Sequence, residues 1–263
     1  MPELPEVESA IRRLRGALVG KTIDHVVLTH RSLRRRLSPA QLRSLRGARV
    51  LSAERRGKHQ LITLDDGRVL HAHFRMTGDW LCDRAADPLP RFARAALALT
   101  DGSRVVLEDP RALSTLDLHA AGIAIDLGLG PEPSDPALTA VSLRAALSKR
   151  RGPIKPVLLD QRVIAGLGNI YAAEALWHAR IAPTAQASAL TMTDVSRLLA
   201  SIRKVIERAT GARYTDESVN RLAVYDREGK RCRRCGTPIA RIVQVGRSTY
   251  YCPSCQRALR KRR

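Results

Sequence analysis

The sequence predicts an α+β fold in which an antiparallel β-sandwich comes first and a helical region follows. Asp-Gly pairs at residues 66–67 and 101–102 each separate two short apolar runs, which is typical of β-hairpins. After a stretch rich in Gly and Pro, the apolar residues instead recur three or four positions apart, which indicates helices. The chain has 263 residues, enough for two medium-sized domains with cores of their own.

The N-terminal part opens with a predicted helix over about residues 6–18. Its apolar residues run from Val7 to Leu18 at helical spacing, and Gly20 ends it. The strands that we predict lie at residues 22–29, 50–54, 61–64, 69–73, 97–99 and 105–107. Two hairpins and two further strands are sufficient for an antiparallel sandwich.

A linker rich in Gly and Pro at residues 128–136 marks the boundary. The helices predicted after it cover residues 138–148, 153–160, 170–179 and 193–210, and a basic tail with cysteines covers 231–263. We therefore place domains at residues 1–130, 131–228 and 229–263.

The charge of the chain is its strongest compositional signal. Lys and Arg number 46 against 25 Asp and Glu, a formal net charge of +21, and 39 of the basic residues are Arg. Such an excess destabilises a compact chain unless a polyanion offsets it, and Arg matches phosphate oxygens well. Nucleic acid is the expected partner; a ribosomal or merely basic protein is the alternative. Aromatic residues are only 3% of the chain, which favours phosphate contacts on a duplex over stacking on single strands.

The location is expected to be the cytoplasm, in association with the nucleoid. No apolar run approaches the roughly 18 residues of a membrane span, so no membrane partner is expected. The start of the chain is acidic, without the basic and apolar regions of a secretion signal.

Two Cys-x-x-Cys pairs near the C-terminus predict one structural zinc ion. Cys232 and Cys235 form the first pair, and Cys252 and Cys255 form the second. Two turns that each present two sulfurs match a tetrahedral zinc site, and disulfides are not expected inside a cell. Four protein ligands leave no open position for water, so the metal would hold a basic β-ribbon and take no part in catalysis. Cys82 stands alone and is expected to be a small buried hydrophobe.

The N-terminus offers a candidate nucleophile. Removal of Met1, which is expected before a small second residue, would leave Pro2 with a free secondary amine. An α-amino group titrates near pH ~8, so a useful neutral fraction exists at pH ~7, and the amine could form an iminium with a sugar anomeric carbon. Glu3 could protonate the departing sugar oxygen, and Glu6 could orient the pair. The alternative is an ordinary helix start, where Pro and Glu are both favoured.

Three separated motifs together resemble the formamidopyrimidine-DNA glycosylase and endonuclease VIII family. They are the start Met1–Glu8, the run Gly166-Leu167-Gly168-Asn169-Ile170-Tyr171 and the terminal four-cysteine finger. With Leu4, the start is more similar to the formamidopyrimidine branch. The resemblance implies a sandwich with an N-terminal helix, a helix-two-turns-helix domain and a zinc finger. It also implies excision of a damaged base followed by strand cleavage through β,δ-elimination. We expect the partner to be damaged double-stranded DNA and the protein to be a monomer.

The resemblance also implies roles for individual residues. Pro2 would be the Schiff-base nucleophile and Glu3 the proton donor, while Lys58 would assist β-elimination and Arg247 would serve δ-elimination. The DNA-binding residues that it implies are Met76, Arg111, Leu113, Arg150, Lys155 and Asn169, with Met76 and Leu113 filling the gap left by the extruded base. Gly166 and Gly168 precede a helix, where backbone N–H groups could approach a phosphate.

Two departures from the family pattern bear on the substrate. Leu113 stands where an aromatic residue is usual, and only the 21 residues Gly211–Arg231 lead into the finger. Oxoguanine-selective members usually carry a longer loop there. We expect the protein to remove oxidised bases, with formamidopyrimidines and oxidised purines as the preferred substrates. The alternatives are an endonuclease VIII-like preference for oxidised pyrimidines or abasic sites, and a non-catalytic binder of damaged DNA.

Overall fold

The computed structural model describes residues 2–210 and 222–256. The chain divides into two compact units, of which the first contains Pro2 and residues 6–126 and the second contains residues 3–5 and the chain from residue 127 onward. Among the described residues, no helix is both long enough and apolar enough to cross a bilayer.

The first unit is built on two four-stranded antiparallel sheets. Its elements are α1 (Leu4–Leu18), β1 (Ile23–Leu28), α2 (Arg31–Arg34), α3 (Pro39–Ser44), β2 (Val50–Arg56), β3 (His59–Leu64), β4 (Val69–His73), β5 (Asp79–Arg84), β6 (Ala93–Leu99), β7 (Ser103–Glu108) and β8 (Thr115–His119). One sheet has the order β1-β6-β7-β5 and the other β2-β3-β4-β8. Inward residues of both sheets, such as Leu97 and Ile62, join one apolar core with the buried face of α1. The predicted sandwich, its N-terminal helix and its two hairpins are confirmed.

The elements that the sequence did not predict lie at the edges of this unit. Strands β5 and β8 are edge strands. An edge strand pairs with a single neighbour, so it is less buried and needs fewer apolar residues. Helices α2 and α3 lie in an Arg-rich stretch without a long apolar period. The prediction that Cys82 is buried is wrong, because β5 presents this side chain to solvent.

The second unit is helical and ends in a β-ribbon. Its elements are α4 (Ala140–Ser148), α5 (Ile154–Leu159), α6 (Asn169–His178), a 3-10 turn at Ala187–Ala189, α7 (Met192–Ala209), β9 (Ala240–Gln244) and β10 (Arg247–Tyr251). Every residue of α6 from Ile170 to Trp177 is buried, so this helix passes through the middle of the unit. Strands β9 and β10 pair as an antiparallel ribbon. The four predicted helices are confirmed, each within about two residues.

Candidate functional site

The side chain of Glu3 is held at the start of helix α6. It is completely buried, and its carboxylate oxygens accept hydrogen bonds from the backbone N–H groups of Ile170, at 2.8 Å, and Tyr171, at 3.3 Å. A negative charge at a helix N-terminus is favourable. A side chain at Gly168 would collide with the Glu3 carboxyl, and one at Gly166 would collide with Leu4. The glycines therefore make room for the N-terminal residues of the chain, and the helix start expected to approach a phosphate already holds a carboxylate.

Pro2 and Glu6 flank this carboxyl along the chain. Pro2 is partly exposed and is joined to Glu3 by one peptide bond. Glu6 is partly exposed in the first turn of α1, where a carboxylate suits the helix dipole. An amine at Pro2 would thus be attached directly to a residue whose position is fixed.

Lys155 and Asn169 form a buried polar cluster with strand β10. The Lys155 ammonium donates to Asn169 Oδ1 at 2.6 Å, to Thr249 Oγ1 at 2.7 Å and to the Ser248 carbonyl at 3.1 Å. Asn169 Nδ2 donates to the same carbonyl at 3.1 Å. Burial lowers the pKa of Lys155 to about 8; the Glu3 carboxylate opposes this and Arg247 adds to it. All three ammonium protons have protein acceptors, so Lys155 joins α5 to α6 and to the ribbon.

Tyr225 belongs to the same cluster, although the sequence analysis did not single it out. Its hydroxyl lies beside the Asn169 side chain, which lowers the pKa of Tyr225, while burial raises that pKa more strongly. Its ring packs edge-on against Tyr250 of β10, with the ring centroids 5.3 Å apart. The only available signal was an aromatic residue in a basic stretch before the finger, in a chain with few aromatics.

Arg247 and Arg150 present positive charge on the second unit. Arg247 is exposed at the start of β10, directly after a two-residue turn in which Val245 and Gly246 have φ of 48° and 69°. Two positive φ values are what a tight hairpin turn requires. Arg150 is partly exposed and pairs with Asp160 at 3.3 Å.

The four predicted zinc ligands are brought together. The Sγ atoms of Cys232, Cys235, Cys252 and Cys255 all lie within 4.8 Å of one another. Two of the Sγ–Sγ distances are 3.5 and 4.0 Å, close to the edge of about 3.8 Å of a tetrahedron with Zn–S bonds of about 2.3 Å. Trp177 Nε1 donates to Cys232 Sγ at 3.4 Å, which helps to hold a thiolate. The residues therefore fit one structural zinc ion, which would close the ribbon and leave no coordination position for a substrate.

Lys58 lies in the first unit, between β2 and β3, and follows Gly57 with a φ of 59°. Lys58 is partly exposed and close to His73. Burial lowers the pKa of His73 to about 3, and the charges of His59, Arg75 and Lys58 add to this effect.

A row of four histidines crosses the outer face of the sheet beside Lys58. His59 Nδ1 lies 2.8 Å from His71 Nε2, and His71 Nδ1 lies 3.2 Å from His119 Nε2. The ring of His73 packs edge-on against that of His59, at 4.7 Å between centroids. We name this row, His59, His71, His73 and His119, the histidine array; sequence analysis did not single it out because its members come from three strands.

Met76, Arg111 and Leu113 lie on two neighbouring loops of the first unit. Met76 is 36% exposed and Leu113 is 43% exposed, and Arg111 is also exposed, so all three side chains are accessible to a ligand. Buried Asp109 joins the loops, because it accepts hydrogen bonds from the Thr77 hydroxyl and from the backbone of the residues that follow it. The two predicted wedge residues and Arg111 are therefore displayed by one hydrogen-bonded structure.

The fold and these sites define a zinc-ribbon protein with a strong excess of positive charge, features that are typical of a nucleic-acid-binding protein. The formamidopyrimidine-DNA glycosylase N-terminal domain matches residues 1–116, the formamidopyrimidine-DNA glycosylase H2TH domain matches 129–219, and the zinc finger found in FPG and IleRS matches 229–258.

Whole-chain comparisons agree with these matches. Formamidopyrimidine-DNA glycosylases from Rhizorhabdus wittichii and Thermus thermophilus are 41% and 40% identical, over 98% and 97% of this chain and 100% and 98% of theirs. The Lactococcus lactis enzyme bound to DNA with an AP site has a TM-score of 0.90 at 30% identity, covering 97% of this chain and 99% of that one. The chain belongs to the formamidopyrimidine-DNA glycosylase family. Members of this family are DNA glycosylases with AP lyase activity that serve base-excision repair, and the chain is an enzyme of that class.

Proposed function

We propose that the chain removes oxidised bases from duplex DNA and then cleaves the strand, with the amine of Pro2 as the nucleophile. The observation that carries the proposal is the position of Glu3, which is buried and fixed by two backbone N–H groups beside the residue that bears the amine. A helical role alone would not require a buried carboxylate there, because acidic residues in a first helical turn are ordinarily solvated.

The first chemical step is the exchange of the damaged base for the amine. The neutral Pro2 nitrogen attacks the anomeric carbon of the sugar, and the base leaves with the electrons of the glycosidic bond and takes up a proton. The Pro2 nitrogen gives its own proton to the Glu3 carboxylate, which passes it to the ring oxygen. The bond from the anomeric carbon to that oxygen breaks, and the nitrogen lone pair completes an iminium.

The iminium makes strand cleavage possible. It acidifies the neighbouring sugar carbon, so that loss of a proton there expels the 3′ phosphate; a second elimination expels the 5′ phosphate. We assign Lys58 to the first elimination and Arg247 to the second, because a positive charge beside a departing phosphate would stabilise the negative charge that develops there. Lys58 and Arg247 are carried by the rigid strands that flank them.

The remaining predicted residues bind the DNA. Asn169 and Arg150 contact the backbone, and Lys155 acts through Asn169, since its ammonium protons are already bonded within the protein. Met76, Leu113 and Arg111 fill the space that the extruded nucleotide leaves, with Arg111 facing the orphaned base.

For the lesion, we propose formamidopyrimidines and oxidised purines first, and oxidised pyrimidines as the alternative. The family supports the first, since the Lactococcus lactis enzyme, 31% identical with a TM-score of 0.88, has been solved with DNA containing FAPY-dG. The alternative is kept because the same enzyme, with a TM-score of 0.90, has also been solved with DNA containing an oxidised pyrimidine. Most of the short segment before the finger, at residues 211–221, lies outside the described residues.

Borohydride trapping tests the proposal. Duplexes that carry an abasic site, an oxidised guanine, a formamidopyrimidine or an oxidised pyrimidine are incubated with the protein and reduced. We expect a covalent adduct with the abasic duplex and with the preferred lesion. Pro2→Gly should lose the adduct and keep binding, while Pro5→Ala, which changes the other proline of the N-terminus, should keep both. An adduct retained by Pro2→Gly would overturn the assignment of the nucleophile.

The partner and the oligomeric state have a separate test. We propose that one protein chain binds one damaged duplex, and light scattering of the complex should give the mass of a single chain plus DNA. A mass with two chains would contradict the monomer.

A further inference from the structure

Glu174 is a buried carboxylate that the chemistry described above does not use. It lies in the middle of helix α6, its residue is only 4% exposed, and its neighbours on the helix are apolar. A carboxylate in such surroundings is costly unless hydrogen bonds compensate it. Burial raises the pKa of Glu174, and the hydrogen bonds of Tyr225, Ala223 and Val224 oppose that rise.

The compensation comes from three consecutive backbone N–H groups. Ala223 donates to Glu174 Oε2 at 2.7 Å, while Val224 and Tyr225 donate to Oε1 at 2.9 Å each. These residues are in neither a helix nor a strand, so their N–H groups have no partner from regular secondary structure. Arg227 also holds this segment, because its Nη1 donates to the Ala223 carbonyl at 2.8 Å.

The conformation of this segment determines where Tyr225 points. The Tyr225 ring packs on Tyr250 of the ribbon, and its hydroxyl lies beside Asn169, the first residue of α6. Helix α6 therefore contacts the C-terminal part of the chain at three levels. Asn169 donates to the Ser248 carbonyl of the ribbon, Glu174 accepts from residues 223–225 and, one turn further, Trp177 donates to the zinc ligand Cys232.

We propose that Glu174 is a positioning residue for DNA binding, which fixes the backbone of residues 223–225 so that Tyr225 holds the Asn169 amide in its binding orientation. This proposal rests on the proposed function, because it assumes that the cluster around Asn169 contacts the DNA backbone. It assigns Glu174 no contact with the DNA and no part in proton transfer.

The substitution Glu174→Gln tests the proposal at constant size. A glutamine has one acceptor oxygen, and its amide nitrogen would face a backbone N–H group, so at least one hydrogen bond is lost and two donors are opposed. The measurement is the Kd, by fluorescence anisotropy, of the zinc-loaded full chain for a duplex with a tetrahydrofuran abasic analogue that the enzyme cannot cleave. We expect Glu174→Gln to weaken binding by about tenfold.

A double-mutant cycle with Tyr225→Phe separates positioning from a merely structural role. If Glu174 acts through Tyr225, Glu174→Gln should add less than about twofold to the loss already caused by Tyr225→Phe. Hydrogen exchange should show faster exchange at the amides of residues 223–225 in Glu174→Gln only. The control is Leu198→Ala, a cavity in buried α7 that lowers the melting temperature and should leave the Kd within about twofold.

The outcomes are distinguishable. Binding by Glu174→Gln within about twofold of the wild type, or losses that multiply in the double variant, would overturn the proposal. If Glu174→Gln does not fold, Glu174→Asp takes its place. Glu174→Asp keeps the carboxylate, so it should bind the duplex within about threefold of the wild type. A larger loss of binding that Leu198→Ala shares would show that Glu174 has a structural role only. If the wild type prefers no abasic duplex over undamaged DNA, the proposed function fails together with this inference. Normal wild-type binding with an unaffected Glu174→Gln overturns the inference alone.

Discussion

Ser114 is bonded twice to the same oxygen of Asp109. Its backbone N–H and its hydroxyl donate to Asp109 Oδ2 at 2.7 and 2.9 Å, and the hydroxyl also lies 3.1 Å from the carbonyl oxygen of Phe74. Burial would raise the pKa of Asp109, but hydrogen bonds from Thr77, Ser114 and Leu113 lower it, so the carboxylate stays charged. One ionised side chain thus joins the loops that carry Met76 and Leu113.

Asp109→Asn should therefore damage both stability and the recognition of missing bases. The amide replaces one acceptor oxygen by a donor, and we expect the free energy of unfolding to fall by about 2–4 kcal/mol. Discrimination between an abasic duplex and an undamaged one should also fall, because the wedge side chains lose their common support. Urea denaturation and competition binding measure the two effects. Asp87→Asn, at an exposed pair with Arg84, is the control and should change the stability by less than about 0.5 kcal/mol; an equal loss there would contradict the role of Asp109.

The histidine array predicts that the first unit loses stability in mild acid. Burial lowers the pKa of His59 to about 4, and the charges of His71 and Arg75 add to this effect. An unfolded histidine titrates near pH ~6.5, so the unfolded chain binds more protons than the folded one between these values. The free energy of unfolding should therefore fall as the pH decreases from ~6.5 towards 4. Urea midpoints measured at intervals across this range test the direction.

A substitution within the array checks the origin of this pH dependence. His71→Gln removes the central member and should make the decline shallower. His25→Gln, at an exposed histidine of strand β1, should leave the decline as it is. Equal slopes in all three proteins would assign the acid sensitivity to other groups.

Zinc removal should disorder the ribbon and weaken DNA binding, because metal binding and local folding are linked. Trp177 reports this locally: its Nε1 bonds to Cys232, and the Arg234 guanidinium lies 4.0 Å from the centre of its ring. In a Trp80→Phe background, Trp177 is the only tryptophan. Its fluorescence should change on chelation and recover when zinc is restored, in parallel with duplex affinity. Unchanged affinity in the zinc-free protein would contradict a role for the ribbon in binding.

Salt should weaken duplex binding steeply. With contacts to roughly 6–10 phosphates, the logarithm of the binding constant should fall with the logarithm of salt concentration with a slope of about −5 to −9. Arg247→Ala should weaken binding and lower the slope by about one, since an exposed guanidinium that contacts phosphate releases one counterion. Glu174→Gln, if it positions and does not contact DNA, should weaken binding with little change in slope. A shallow slope in the wild type would argue against an extended basic binding face.

The sequence predicted the parts of this molecule whose signal is local. The Cys-x-x-Cys pairs, the Asp-Gly turns and the helical spacing each lie within a short window, and the corresponding zinc site, hairpins and helices are present. The parts that it missed depend on residues far apart in the chain. The histidine array needs the register of β3, β4 and β8, and the role of Asp109 needs two loops to meet.

Glu174 and Tyr225 of the second unit were missed for the same reason, because their partners lie far away in the sequence. Nothing near Glu174 in the sequence indicates that its partners are backbone groups of residues 223–225. The helix start at Asn169 shows a different limit: the glycines led us to expect a phosphate at the helix N-terminus, whereas the carboxylate of Glu3 occupies it.

The contact between Gly168 and Glu3 has a consequence for how variation in this enzyme should be understood. Any side chain at position 168 would displace the carboxyl that we assign to proton transfer. A screen of random variants for activity would therefore rank Gly168 with the reacting residues, although it contributes no functional group. A second substitution at position 3 would not restore activity, because it would remove the proton-transfer group itself, so position 168 is expected to stay glycine for as long as position 3 stays glutamate.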